Sequence, residues 1–291
     1  MTANRFLFRC LVCVYFAATV IWHDEVQEPA HWLRRQMGNL NWNILVTCLA
    51  LPLMLFVVAT LWRKLVLHSH PMWAHLALSS WLALIVVAFV SLLQVNVELI
   101  HIPQYALLAV LFNATGCRLS DSMILALMAG ILDEGVQYFS LHSHWRTYFD
   151  YNDVVLNGIG AFGGAVILFI WLAPDGLRHA DTLRKERCLS LTIVERLFFG
   201  GFALTCMATL FGFLSPIAQG ELPDGAINLR RNETPDRFWL FTGWGQRYHE
   251  VQFVEVLPLI LLLVLVIVVL DRVACTRRRA FPAGSSRLQT G

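Results

Sequence analysis

The side chains best suited to chemistry lie between Glu98 and Gly164. In VELIHIPQYALL, Glu98, His101 and Tyr105 are three and four residues apart, so on a helix they share a face. Asp133 and Glu134 follow about a dozen residues of apolar helix in DSMILALMAGILDEGVQYF, and Gln137 comes three residues after Glu134. The next stretch, LHSHWRTYFDYND, supplies Arg146, Asp150 and Asp153, and Asn157 stands four residues after Asp153. Glu134 can serve as a general acid or base or as a metal ligand. Structurally, it can equally be a carboxylate neutralised by Arg146, or a protonated acid bonded to Gln137 or Asn157. The planar fork of Arg146 suits a phosphate or carboxylate, or an ion pair with Asp150 or Asp153. Asp153 and Asn157 can hold a divalent cation or a substrate hydroxyl, but Asp153 can also cap a helix. His101 is either a proton carrier near neutral pH or a hydrogen-bonded structural residue.

These groups are candidates because of the segments that carry them. An ionisable side chain inside a membrane-spanning helix costs about 2.5–3.5 kcal/mol on insertion scales. The chain is 57% hydrophobic and only 14% charged over 291 residues, against roughly 25% charged in soluble domains. A span needs about 20 mostly apolar residues. Segments near 6–22, 42–61, 73–94, 99–115, 121–139, 154–173, 194–214 and 254–271 qualify. The expected fold is therefore an all-α, polytopic integral membrane protein of about eight transmembrane helices. The first segment, with Arg5 and Arg9 and no small-residue cleavage site before His23, reads as a retained helix.

Lys and Arg set the orientation. With the N-terminus inside, the cytoplasmic segments hold Arg63, Lys64, Arg118, Arg184, Lys185, Arg187 and the Arg277–Arg279 cluster. Most loop acids fall outside, including Asp24, Glu25, Asp150, Asp153 and Glu233. Both termini are then cytoplasmic, and 215–253 is the longest outside loop. It contains the Asn232-Glu233-Thr234 glycosylation sequon, a pattern common by chance.

Counting roughly 18 Å of helix rise before Asp133 and Glu134 places them below the outer surface of a core about 30 Å thick. Short connections make the spans 99–115, 121–139 and 154–173 neighbours. Their non-cytoplasmic ends then form a partly buried cup holding Glu134, Gln137, Arg146, Asp153, Asn157 and His101. Gly160 and Gly164, four residues apart, suit close helix packing more than ligand contact.

Other chemistries are excluded or weakly signalled. A net charge of +2 offers no basic surface for nucleic acid. None of the seven cysteines lies in an outside loop, so no disulfide framework is implied. His142 and His144 repeat the spacing of His68 and His70 on the opposite side, which makes His-x-His a poor metal signal here. There is no HExxH, no Walker loop and no convincing serine-nucleophile motif.

The run DEGVQYFSLHSHWRTYFDYNDVVLNGIGAFGG resembles the signature of the VanZ-like membrane proteins. That signature is an acidic pair, a Gln three residues after its Glu, a loop Arg, and Asp-x-x-x-Asn-x-x-Gly at the next helix start. Glu134, Gln137, Arg146, Asp153, Asn157 and Gly160 match it, and His101 with Tyr105 match a His and aromatic near the start of the preceding helix. The likeness covers about residues 75–175. The loop departs from it, with His142-Ser143-His144-Trp145 in place of the usual Pro-Gly before Arg.

The resemblance implies a membrane core over 73–175, flanked by helices in 1–72 and 176–291. It sharpens the site without supplying the activity: on their chemistry in the cup, Glu134, Asp153 and His101 are the catalytic candidates, and Arg146, Gln137, Asn157 and Tyr105 the substrate-binding ones. It associates the chain with the bacterial cell envelope and the inner membrane, and the family's namesake with resistance to the glycopeptide teicoplanin. It names no reaction, cofactor or metal. The leading expectation is a polar site at the non-cytoplasmic face for a lipid-linked or phosphorylated envelope component. The alternatives are a non-catalytic factor that binds a cell-wall precursor or antibiotic, and a small transporter or flippase. With no repeat and only Pro103 as a helix breaker near the site, transport ranks last.

Overall fold

Apolar runs of this length can satisfy their backbone groups in lipid only as helices, and helices dominate the architecture. The computed structural model describes residues 2–21, 23–68, 70–94, 96–141, 149–172, 190–215, 227–228, 237–242 and 247–280. Arg146, His142, His144 and the Asn232 sequon lie outside the described residues.

In chain order the helices are α1 (Thr2–Ile21), α2 (His23–Met37), α3 (Asn39–Leu67), α4 (Met72–Ser91) and α5 (His101–Ala114). They continue with α6 (Leu119–Val136), α7 (Tyr151–Leu172), α8 (Ile193–Leu210) and α9 (Phe253–Ala280). A 3-10 turn, Asn96–Ile100, leads into α5, and a π-helical turn, Gln137–Leu141, ends α6. Pro103 falls in the first turn of α5, where a missing N–H removes no helical bond, so it does not break the helix. Two short strand pairs complete the described residues. β1 (Leu214–Ser215) runs parallel to β2 (Ile227–Asn228), and β3 (Leu240–Phe241) antiparallel to β4 (Arg247–Tyr248).

Seven described helices are long and apolar enough to cross a membrane, so the chain is a multi-pass membrane protein. They are α1, α3, α4, the 3-10 turn with α5, α7, α8 and α9. The eighth expected segment, 121–139, forms α6, which is 18 residues long but carries Asp121, Asp133 and Glu134. The segment 23–41, left unassigned by hydropathy, is mostly the polar helix α2.

The bundle is organised around α7. Its spanning stretch is 89% buried, against 6% for α1 and for α3. Helices α5 and α6 pack along it, with α4 and α9 on its flanks. Glycines make the closest approach possible. A Cβ at Gly160 would sit 2.5 Å from the Ile102 carbonyl oxygen, and one at Gly164 would sit 2.4 Å from that of Ala106. Both glycines are therefore places where the α5 and α7 backbones meet. Gly163 does the same for the Trp81 indole of α4, 2.3 Å from where its Cβ would be.

Two polar clamps hold the ends of the bundle. At one end, the buried Asn152 donates through Nδ2 to the carbonyls of Leu92 and His249, each at 2.9 Å. Its Oδ1 accepts from Val251 N at 2.9 Å, which ties the end of α4 and the approach to α9 to the start of α7. At the other end, Arg118 pairs with Asp271, and Arg272 pairs with the fully buried Glu195. Ser120 Oγ donates to Glu195 Oε1 at 2.7 Å, and Thr192 forms a capping box with Glu195 at the start of α8. Cys10, Cys13, Cys48, Cys117 and Cys206 are free.

Candidate functional site

The site is built where the N-termini of α5 and α7 meet the C-terminus of α6. His101 is the first residue of α5 and Tyr105 stands one turn on. Asp133 and Glu134 lie in the last turn of α6, and Gln137 is its C-cap. Asp153 is in the first turn of α7, and Asn157 one turn further. Six of the seven candidates from the sequence are thus described, and all are buried: His101, Tyr105, Glu134, Gln137, Asp153 and Asn157. The seventh, Arg146, lies outside the described residues.

Two hydrogen-bonded groups form. In the first, His101 Nδ1 is 2.8 Å from Asn157 Oδ1, and its Nε2 is 3.7 Å from Asp153 Oδ2. The helix start itself is served by Asp150. Its Oδ1 accepts from the backbone N–H groups of Asn152 at 3.0 Å and Asp153 at 3.4 Å. Asp150 therefore takes the capping role that the sequence allows for Asp153, and the Asp153 carboxylate faces His101 instead.

In the second group, the Tyr105 hydroxyl donates to Asp133 Oδ2 at 2.8 Å, and Gln137 Nε2 donates to Asp133 Oδ1 at 3.2 Å. The two groups meet through the rings of His101 and Tyr105, which lie parallel to within 5° at a centroid separation of 6.5 Å.

Asp133 is the residue that sequence reasoning passed over. The spacing of three from Glu134 to Gln137 suggested Glu134 as the partner, whereas Gln137 bonds Asp133, four residues back. The helical i, i+4 relation and the buried acidic pair were the available signals. Glu134 lies one turn beyond Gly130 and is 1% exposed. A Cβ at Gly130 would sit 2.7 Å from Asn157 Cβ, so this face of α6 is the one against α7. Glu98, expected on the same face as His101 and Tyr105, is engaged locally, its Oε2 accepting from Gln94 N at 2.9 Å.

Chemically, the arrangement offers three buried carboxyl groups, one imidazole, one phenol and two amides. That set can move protons and recognise oxygen-rich groups. Among the described residues, no group of three His, Cys, Asp or Glu side chains is placed to hold a metal ion. Removing the Tyr105 hydroxyl tests the second group. Tyr105→Phe leaves a buried Asp133 oxygen without its donor, and is expected to lower stability by about 1–3 kcal/mol. Thermal unfolding of the purified protein in detergent reads this directly, and an unchanged midpoint would mean the bond contributes nothing.

In comparison with known proteins, no family model, no curated protein and no solved structure matches the chain.

Proposed function

We propose that the chain is an eight-span inner-membrane protein of VanZ-like type whose α5–α6–α7 site handles a lipid-linked or phosphorylated envelope component at the non-cytoplasmic face. Helix α6 is the eighth span in this reading. Its acids lie at its two ends, Asp121 near one and Asp133 with Glu134 near the other, with an apolar stretch between them. The distribution of Lys and Arg puts the Arg118 end in the cytoplasm and the His101 end outside. Both termini are then cytoplasmic.

The observation that carries the reading is the burial of His101, Tyr105, Asp133, Glu134, Gln137, Asp153 and Asn157 together at one end of three adjoining helices. Membrane proteins do not retain so many desolvated polar groups at one place without use for them. Oxygen-rich headgroups match their donors and acceptors. In this reading Glu134, Asp153 and His101 are the acid–base groups, and Gln137, Asn157 and Tyr105 with Arg146 bind the ligand.

The test is to make Glu134→Gln and Arg146→Ala, confirm insertion, and compare lipid-linked intermediates by mass spectrometry in cells carrying wild type or variant. The expected result is accumulation of one intermediate in both variants. An unchanged lipid profile with lost binding or resistance would favour the non-catalytic binder. Wild-type behaviour of both variants would make the cluster structural and overturn the proposal.

A further inference from the structure

We infer that His101 is the proton-transfer group of this site, working through Nε2, and that Asn157 is the residue that positions it. This deepens the proposed function, because it takes the α5–α7 cluster to be a ligand site. It also separates the roles of two residues that the sequence grouped loosely.

The argument starts from hydrogen-bond inventory. With the Asn157 amide turned so that its oxygen faces the ring at 2.8 Å, the proton sits on His101 Nδ1, because an amide oxygen can only accept. In the neutral ring the lone pair is then on Nε2. The 3.7 Å from Nε2 to Asp153 Oδ2 is too long for a hydrogen bond, yet close enough for the carboxylate to stabilise an imidazolium. The ring cannot easily turn. Tyr105 lies parallel to it, and the Tyr105 hydroxyl is itself held by Asp133. The backbone is also fixed, since the His101 carbonyl oxygen lies only 3.0 Å from where a Cβ on Gly160 would stand.

Access agrees with this assignment. Both carboxylates are buried, Asp153 at 9% exposure and Glu134 at 1%. The less buried of the two carboxylates is therefore the one that His101 Nε2 faces. An amide oxygen orienting an imidazole whose other nitrogen does the work is the division of labour seen in cysteine–histidine–asparagine sites.

The step is a simple proton transfer. A ligand hydroxyl at Nε2 gives up its proton, the O–H bond breaks, an N–H bond forms, and the electron pair stays on the ligand oxygen. The resulting imidazolium keeps its bond to Asn157 and is balanced by Asp153. Reversal returns the proton to a leaving oxygen.

The tautomer can be read without any ligand. Full-length protein labelled with ¹⁵N-histidine is placed in lipid nanodiscs at a pH where the ring is neutral, and the His101 ring nitrogens are assigned through bonds. The wild type is expected to hold the proton on Nδ1 over Nε2 by about tenfold, which corresponds to roughly one neutral hydrogen bond. Asn157→Asp keeps an acceptor and should keep this form, while Asn157→Leu should shift the proton to Nε2. A wild-type ring protonated on Nε2 overturns the inference, as does a tautomer that Asn157→Leu leaves unchanged. The wild-type measurement decides the matter even if a variant does not fold. Since no lipid is turned over in this experiment, its failure leaves the envelope reading standing, and the lipid profiles test that reading separately.

Discussion

Replacing Gly160 by alanine is expected to unseat α5 from α7 and to disturb the site with it. The added methyl would meet the Ile102 carbonyl oxygen at 2.5 Å, and the His101 carbonyl oxygen and Ile102 Cα at 3.0 Å. All three are backbone atoms at the start of α5, so no side chain can swing aside to relieve the clash. One helix must move, and His101 and Tyr105 move with it. Overpacking usually costs about 1–3 kcal/mol, and a backbone clash belongs at the upper end, about 3 kcal/mol. Gly164→Ala should behave alike, because its Cβ would lie 2.4 Å from the Ala106 carbonyl oxygen. Gly158 is the control. A Cβ there would touch only Leu127 and Leu263 methyls at 3.5 Å, an ordinary contact, so Gly158→Ala should be close to neutral. Denaturant unfolding in mixed micelles separates the three. Equal stability of the Gly160 and Gly158 variants would show that the two helices have room to part.

The second large effect lies at the opposite end of the bundle. Glu195→Ala is expected to cost about 3–5 kcal/mol, the range for breaking a buried ion pair from one side. Glu195 is fully buried and receives Arg272, the Ser120 hydroxyl and the Thr192 backbone N–H. Among the described residues, its loss leaves Arg272 with only the 3.5 Å contact to Asp271, which Arg118 already shares. The consequence should be local to α8. Among the described side chains of that helix only Glu195 and Phe198 are buried, so the polar clamp supplies much of what docks it. In detergent the variant should melt earlier, and spin labels on α6 and α8 should move apart, while the helix content stays constant. Glu195→Gln keeps one acceptor for Ser120 and should fall between wild type and alanine. A wild-type melting point for the alanine variant would mean that α8 is held by lipid-facing packing rather than by charge.

How much of this could be read beforehand differs from residue to residue. The expected helices at 42–61 and 254–271 lie within α3 and α9, and those at 73–94 and 154–173 coincide with α4 and α7 over most of their length, because unbroken hydropathy over about 20 residues leaves no other way to satisfy the backbone in lipid. The helical α2 was not visible to that method, since its face pattern is set by polar residues. Grouping His101, Tyr105, Gln137, Asp153 and Asn157 at one end of three helices needed only residue spacing and short connections. Their pairing did not follow from spacing. Glu134 and Asp133 are adjacent in sequence, and which of them met Tyr105 on α5 depended on how α6 was rotated. The same holds for Asp150 and Asp153, either of which can cap α7 on sequence grounds.

Taken alone, the sequence determined the solvent and the location. Hydropathy required a multi-pass helical membrane protein, and the cost of burying ionisable groups singled out the stretch from Glu98 to Gly164. Only the tertiary structure decided the partners. The absence of side chains at Gly160 and Gly164 lets α5 lie directly on α7, and that approach brings His101 to Asn157 and Asp153. Rotation of α6 turns Asp133 toward Tyr105, and the Gly130–Glu134 face toward α7. Helix rotation and interhelical distance are collective properties of the packed bundle, and the spacing of residues along one helix does not contain them.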